Sequence, residues 1–202
     1  MKISKRGEYA LRALIDIGIA QELGHELVQI RELAEQEKLP VKFLEQILMQ
    51  LKGAGFIASK RGKRGGYFLD MPLSKIKFGA VIRLIDGPLA PIACVSQTAY
   101  ERCTCPDEEH CGLRMLMLDV RNMLADILDK YTLQDSVDIT LHKMKKDKVP
   151  LPFLMKMIGG AGRQPIAGPI PKKTKLQQAG EGSPARKMQQ PRLLPLRNRA
   201  HA

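Results

Sequence analysis

The hydrophobic period of this chain changes once within its first 76 residues, and that change decides the fold class. Up to Gly55, apolar residues recur every three to four positions; beyond it, Phe56-Ile57-Ala58-Ser59-Lys60 and Tyr67-Phe68-Leu69 alternate as two short strands. Between them lies Arg61-Gly62-Lys63-Arg64-Gly65-Gly66. A turn built on glycine predicts a hairpin with a basic tip, the paired Gly65 and Gly66 supplying the positive φ angles such a turn demands. Three helices are expected before it. The first covers 4–22, capped by Ser4, with Tyr9, Ala10, Ala13, Leu14 and Ile17 at helical spacing. A break around Gly24 leads to a short helix from about Ile30 to Glu37, with Ile30, Leu33 and Ala34 on one side. After a Lys38-Leu39-Pro40 turn, a helix at about 40–53 carries the stripe Phe43, Leu44, Ile47, Leu48 and Leu51, ending at Gly53 or Gly55. Helix–turn–helix followed by a basic hairpin is the winged-helix arrangement. The expected class is therefore mainly α with a small β-hairpin wing, plus one long helix.

All four cysteines fall in one short stretch, Cys94-x8-Cys103-x-Cys105-x5-Cys111, within a segment from Ile92 to Gly112. The N-terminus lacks a signal-peptide pattern and no apolar run is long enough to span a bilayer, so a cytoplasmic protein with no membrane partner is expected. In that reducing compartment clustered thiols serve as ligands or redox groups rather than as a disulfide framework. Soft thiolates at loop spacing suit an Fe–S cluster, with four-cysteine zinc as the competing chemistry.

Charge divides the chain further. Residues 143–202 hold 14 Lys/Arg and 2 Asp/Glu, whereas residues 1–142 hold 19 of each. Within the neutral part, 1–77 carries 14 basic against 9 acidic residues and 78–142 carries 5 against 10. One half is thus suited to meet phosphate and the other is not. Three regions are expected: a winged helix–turn–helix domain at 1–76; a linker helix, cysteine loop (92–112) and dimerisation helix (113–131) within 77–142; and a basic, disordered tail at 143–202. The linker helix spans Lys77–Asp86. The dimerisation helix shows Leu113, Leu116, Met117, Val120, Met123, Leu124, Ile127, Leu128 and Tyr131 at i, i+3/i+4, i+7. A two-fold partner helix is favoured over burial against its own domain. From about Gly159 the tail is read as a solvated extension, with non-specific phosphate contact as the functional alternative.

Lys2-Ile3-Ser4, Tyr9-Ala10-Leu11-Arg12-Ala13-Leu14, Phe43-Leu44-Glu45-Gln46-Ile47-Leu48 and Arg61-Gly62-x-x-Gly65-Gly66-Tyr67-x-Leu69 together resemble the Rrf2 family of bacterial transcription regulators, over about residues 1–140. The resemblance implies a homodimeric DNA-binding regulator rather than an enzyme. It also implies, in many members, a [2Fe–2S] or [4Fe–4S] cluster on three cysteines of each subunit whose state alters affinity for promoter DNA. Redox state, nitric oxide or iron–sulfur supply would be the signal, and a cluster-free or zinc-bound regulator with thiol-based redox sensing is the alternative. No phosphate-cradling glycine loop, nucleophile elbow or histidine cluster supports an enzyme.

Double-stranded DNA would meet Val41, Lys42, Glu45 and Gln46 on the second helix of the motif, with Glu45 and Gln46 matching the family's base-reading positions. A carboxylate accepts from cytosine N4 and an amide pairs with adenine. Lys60, Arg61, Lys63 and Arg64 sit on the wing tip, Arg61 matching the family's wing arginine. Ser4, Lys5, Arg6, Pro40, Phe43 and Tyr67 complete the expected face. By the same resemblance Cys94, Cys105 and Cys111 are the metal ligands, with Cys103 an uncertain fourth. In some members a histidine three residues after the last cysteine ligates; here that position is Arg114. In others an acidic residue of the first helix does, which nominates Glu8. His110 ranks below both Cys103 and Glu8.

Overall fold

A computed structural model of the chain describes residues 2–153. Helix α1 runs Lys5–Glu22, started by the Gly7 N–H donating to Ser4 Oγ at 3.0 Å. Such a cap contributes about 1 kcal/mol. Helix α2 spans Ile30–Glu37 and ends at Lys38, which adopts a left-handed φ of 53°. Helix α3 follows as Val41–Gly53 with Pro40 just outside it, and Gly55 at φ 77° turns the chain out of the helix.

Strands β1 (Ile57–Lys60) and β2 (Gly66–Leu69) pair antiparallel with Ile57 opposite Leu69 and Lys60 opposite Gly66. The roles of the hairpin glycines differ from expectation. The positive φ falls on Gly62, at 118°, and not on Gly65 or Gly66. Those two are needed for room. A Cβ on Gly65 would meet the Lys60 carbonyl oxygen, and one on Gly66 would stand 2.7 Å from the Val28 carbonyl oxygen. Val28 lies that close because it pairs with Tyr67 in both directions, at 2.8 and 2.9 Å, adding a one-residue third strand to the wing.

Helix α4 covers Phe78–Asp86, α5 covers Gly112–Lys130 and α6 covers Leu133–Lys146. The sequence reading assigns no element to 133–142, and its boundary at 142/143 falls inside α6. Thr132 caps α6 while the Asp135 carboxylate accepts in return from the Thr132 N–H, a reciprocal start. Leu133 and Val137 then enter the main core beside Leu14 and Ile17 of α1, Leu33 of α2, Leu44, Ile47 and Leu48 of α3, and Ile57. Burying each such side chain is worth about 1.5–3 kcal/mol. Gly18 is where α6 passes, since a Cβ there would lie 2.9 Å from both Val137 and Leu73 side chains. The basic segment from Gly159 onward lies outside the described residues. No described helix is long and apolar enough to cross a membrane.

Candidate nucleic-acid interface and cysteine loop

The outer face of α3 starts at an exposed Val41 and carries exposed Lys42, Glu45 and Gln46, while Leu44, Ile47 and Leu48 of the same turns are buried. Helical periodicity therefore does what the spacing requires and leaves a polar ridge one turn long. Phe43 is half-buried and packs edge-on against Tyr9 of α1, ring centroids 5.9 Å apart. It braces α3 rather than presenting its ring outward. Tyr67 is likewise half-buried at the wing root; burial, and then the nearby Glu45 carboxylate, push its phenol pKa up. The exposed face of α3 and the wing root are thus within electrostatic reach of one another at Glu45 and Tyr67.

Lys60, Arg61, Lys63 and Arg64 are all exposed on the hairpin. None of them makes an ion pair among the described residues. An open groove of about 300 Å³ runs between the wing and the start of α2, lined by Lys60, Arg61, Lys63, Tyr67 and also Arg31. Arg31 escaped the sequence reading. Its signal was a cation in the first turn of α2, the helix preceding α3. Lys52, at the far end of α3, is tied to Ser59 by a 2.7 Å hydrogen bond and steadies β1 against that helix.

Two expected members of the DNA face are already engaged. Ser4 bonds Asp86 of α4 through both its Oγ and its N–H, while accepting from Gly7. Lys5 pairs with Glu8 at 2.8 Å. Glu8 is in turn reached by Arg12 at 3.6 Å, and its carboxyl is held below the usual range, chiefly by the Lys5 hydrogen bond. Pro40 is exposed just before α3.

The cysteine loop connects α4 to α5. Cys94 sits buried in a short 3₁₀ turn at Ala93–Val95; Cys103, Cys105 and Cys111 are half-buried, Cys111 immediately preceding α5. Burial, then Cys103 and Glu108, push the Cys94 thiol pKa up. The Cys105 N–H donates to Cys103 Sγ at 3.3 Å. Hydrogen bonds from Cys105 favour the Cys103 thiolate and lower its pKa, while the Cys105 thiol, as donor, is pushed up to about 11. The donor chemistry fits a thiolate-held centre, four soft ligands along one loop with Cys103 touching Cys105. No three donors of the described residues converge on a single-ion site.

Glu108, which the sequence reading passed over, organises this loop. Its carboxylate accepts from Tyr100 Oη at 2.8 Å and the Cys103 N–H at 3.4 Å, and pairs with Arg114 Nε at 3.2 Å. Arg114 therefore closes the loop electrostatically at the position where some family members carry a histidine ligand. His110 is exposed and paired to Asp107 at 2.7 Å.

Comparison with known proteins gives this geometry a family. A family described as "Iron-dependent Transcriptional regulator", Rrf2, matches residues 3–139. An rrf2-like HTH-type transcriptional regulator of Rhodobacter capsulatus is 36% identical over 66% of this chain and 90% of its own. The solved structure of CymR, the global cysteine regulator of Bacillus subtilis, superposes with a TM-score of 0.56 at 30% identity, covering 69% of this chain and 98% of that one. The structure of T. potens IscR gives a TM-score of 0.53 at 26% identity, over 69% and 88%. These relatives are transcription regulators and not enzymes.

Proposed function

We propose, proceeding from the fact that the chain belongs to the Rrf2 family of transcriptional regulators, that it reads a two-fold operator as a homodimer and is controlled through its cysteine loop. One observation carries the DNA half: the exposed ridge of α3 lies beside four wing cations with no counter-ion among the described residues. Unanswered cations at that place are suited to phosphate, and releasing DNA counter-ions there drives binding. In this reading Glu45 and Gln46 face base edges in the major groove, and Arg61 enters the adjacent minor groove. Lys42, Lys60, Lys63, Arg64 and Arg31 contact backbone. Pro40 and Phe43 set the attitude of α3, Tyr67 and Ser4 that of the wing and α1, and Lys5 reaches phosphate only by leaving Glu8.

Dimerisation is assigned to α5. Leu113, Leu116, Val120, Met123, Ile127 and Tyr131 follow one stripe and are between 36% and 65% exposed. Six large apolar side chains left in water at regular spacing fit a second copy of the same helix.

For the loop, Cys94, Cys105 and Cys111 are the ligands proposed for an Fe–S cluster, with Cys103 as fourth. Glu8, engaged by Lys5 and Arg12, is the weaker nominee. When bound, such a cluster supplies a centre sensitive to redox state or nitric oxide. The protein's own part is mechanical: the loop roots in α4, seated on α1, and ends at α5, so a change in how its thiols are held alters the spacing of two recognition helices. The contact between Cys103 and Cys105, with the likeness to CymR, supports a second reading in which the thiols are oxidised directly or hold zinc.

Anaerobic purification with a visible spectrum and iron, sulfide and zinc analysis separates these readings. Iron with sulfide supports the first; zinc, or a colourless protein that resists reconstitution, supports the second. Promoter-fragment binding measured with and without the centre at fixed salt then tests control. Equal affinity in both states defeats the sensing mechanism and leaves the DNA reading in place.

A further inference from the structure

Arg121 is the buried residue of α5, at 8% exposure, and its Nε and Nη1 find no hydrogen-bond partner among the described residues. A guanidinium held in that state costs several kcal/mol unless something accepts from it. The face of α5 that carries it is turned toward its own chain, about a third of a turn from the exposed Leu116–Met123–Ile127 stripe. Beside it lies a small cavity of about 20 Å³ between α4, the segment after α4, the cysteine loop and α5.

The lining explains what the cavity selects. Arg83 and Arg121 both border it and no carboxylate does. Arg83 is already answered by Asp129 through two hydrogen bonds of 2.7 and 2.8 Å, so Arg121 is the surplus charge. Leu89 and Ala125 form an apolar side, and Gln97 and Thr98 bring an amide and a hydroxyl. Those two sit on a turn held by the Ala99 N–H donating to Ser96 Oγ at 3.0 Å. The space admits one small ion or a water molecule and little more.

We propose that this cavity binds a small monovalent inorganic anion, of halide to nitrate size, held by the Arg121 guanidinium with Arg83 behind it and the Thr98 hydroxyl as a further donor. Occupancy joins the turn at Gln97 and Thr98 to α5 through the ion, whatever the thiols hold. Cations of the wing and tail also attract anions, but without this size limit and without Arg121.

The test uses the full chain in potassium gluconate, with chloride, nitrate or sulfate substituted at constant ionic strength. Chloride and nitrate are expected to raise the melting temperature saturably by about 3–6 °C, with sulfate too large to do so. Chloride NMR lines broaden in proportion, and nitrate competes the broadening away. Arg121→Met abolishes both responses and melts above the wild type in gluconate, because the unpaired buried charge is gone. Thr98→Val, on the exposed loop, folds as the wild type and weakens the anion response several-fold. A wild-type shift no larger than that of Arg121→Met means the cavity holds water only. A response to sulfate equal to chloride means non-specific salt binding. Either result overturns the proposal.

Discussion

Helices α5 and α6 follow one another with only Tyr131 and Thr132 between them, and both are amphipathic, yet they dispose of their apolar faces in opposite ways. Leu133 and Val137 of α6 are 1% and 0% exposed, seated against α1, whereas Met123 and Ile127 of α5 are 65% and 53% exposed. Periodicity announces a face and says nothing about what covers it. The seat for α6 is built by α1, where Gly18 lets it approach, and by the junction itself: Leu133 N–H donates to the Ile76 carbonyl at 2.8 Å and Phe78 N–H to the Tyr131 carbonyl at 3.2 Å. That junction directs α6 onto the core. Helix α5 is tied to α4 through Arg83 and Asp129 on its other side, which leaves its stripe free.

The largest expected effect breaks this contrast directly. Val137→Asp places an unpaired charge in the core and should cost about 4 kcal/mol or more, seen as loss of the cooperative urea transition. Ile127→Asp should keep the fold by circular dichroism, convert dimer to monomer by light scattering, and abolish tight operator binding. Comparable unfolding by both variants would mean that α5 packs on its own chain.

Glycine substitutions sharpen the same contrast at smaller scale. Gly18→Ala drives a methyl to within 2.9 Å of Val137 and Leu73 and should cost about 1–3 kcal/mol by urea denaturation. Gly112→Ala, at the start of α5, meets nothing within 4 Å and should be neutral or stabilising by up to about 1 kcal/mol.

These elements also mark how far the sequence could be read. Helices α1 to α4 and the wing lay close to their expected bounds because each carries its own start and stop: Ser4, Pro40, Gly55 and the Gly62 turn act locally. Helix α6 was missed although Thr132 and Asp135 form a capping box and Leu133, Val137 and Leu141 repeat at i, i+4, i+8. The longer stripe of α5 drew attention, and Lys143, Lys145 and Lys146 read as the start of a tail when they sit in the last turn of a helix, where cations suit the dipole. Contacts across the fold were not legible at all. Nothing local says that Glu108 closes the cysteine loop, that Val28 pairs with Tyr67, or that Arg121 is buried.

Titration extends the comparison from apolar faces to carboxylates. Asp16 of α1 lies buried beside Glu37 of α2, with Arg12 also nearby; burial first, then Glu37, raise its pKa to about 8. Its folded pKa exceeds the unfolded one, so the stability it permits is present below about pH 4 and is lost as pH rises toward 8. Asp135 at the α6 cap runs the other way, lowered by the Thr132 hydrogen bonds, and its contribution disappears on acidification. Asp16→Asn should flatten the decline between about pH 4 and 8 and be the more stable protein above pH 8. Asp135→Asn should blunt the decline on the acid side only. Urea midpoints measured from pH 3 to 9 check both, and a decline from pH 4 to 8 unchanged in Asp16→Asn would place that decline elsewhere.

The smallest effect concerns cations rather than carboxylates. Arg61 on the wing has no counter-ion among the described residues, while Arg114, in the first turn of α5, is paired with the largely buried Glu108 of the cysteine loop. An unpaired cation that meets phosphate releases about one counter-ion from DNA, so Arg61→Ala should lower the slope of log affinity against log salt by about one unit. Arg114→Ala should leave that slope unchanged, since its charge is already answered within the chain, and should instead loosen the loop around Tyr100 and Cys103. Fluorescence anisotropy on one promoter fragment across a salt series distinguishes the two. Equal slopes for Arg61→Ala and wild type would mean that Arg61 displaces no counter-ion from DNA, and its minor-groove role would fall while Lys60, Lys63 and Arg64 remained to be tested.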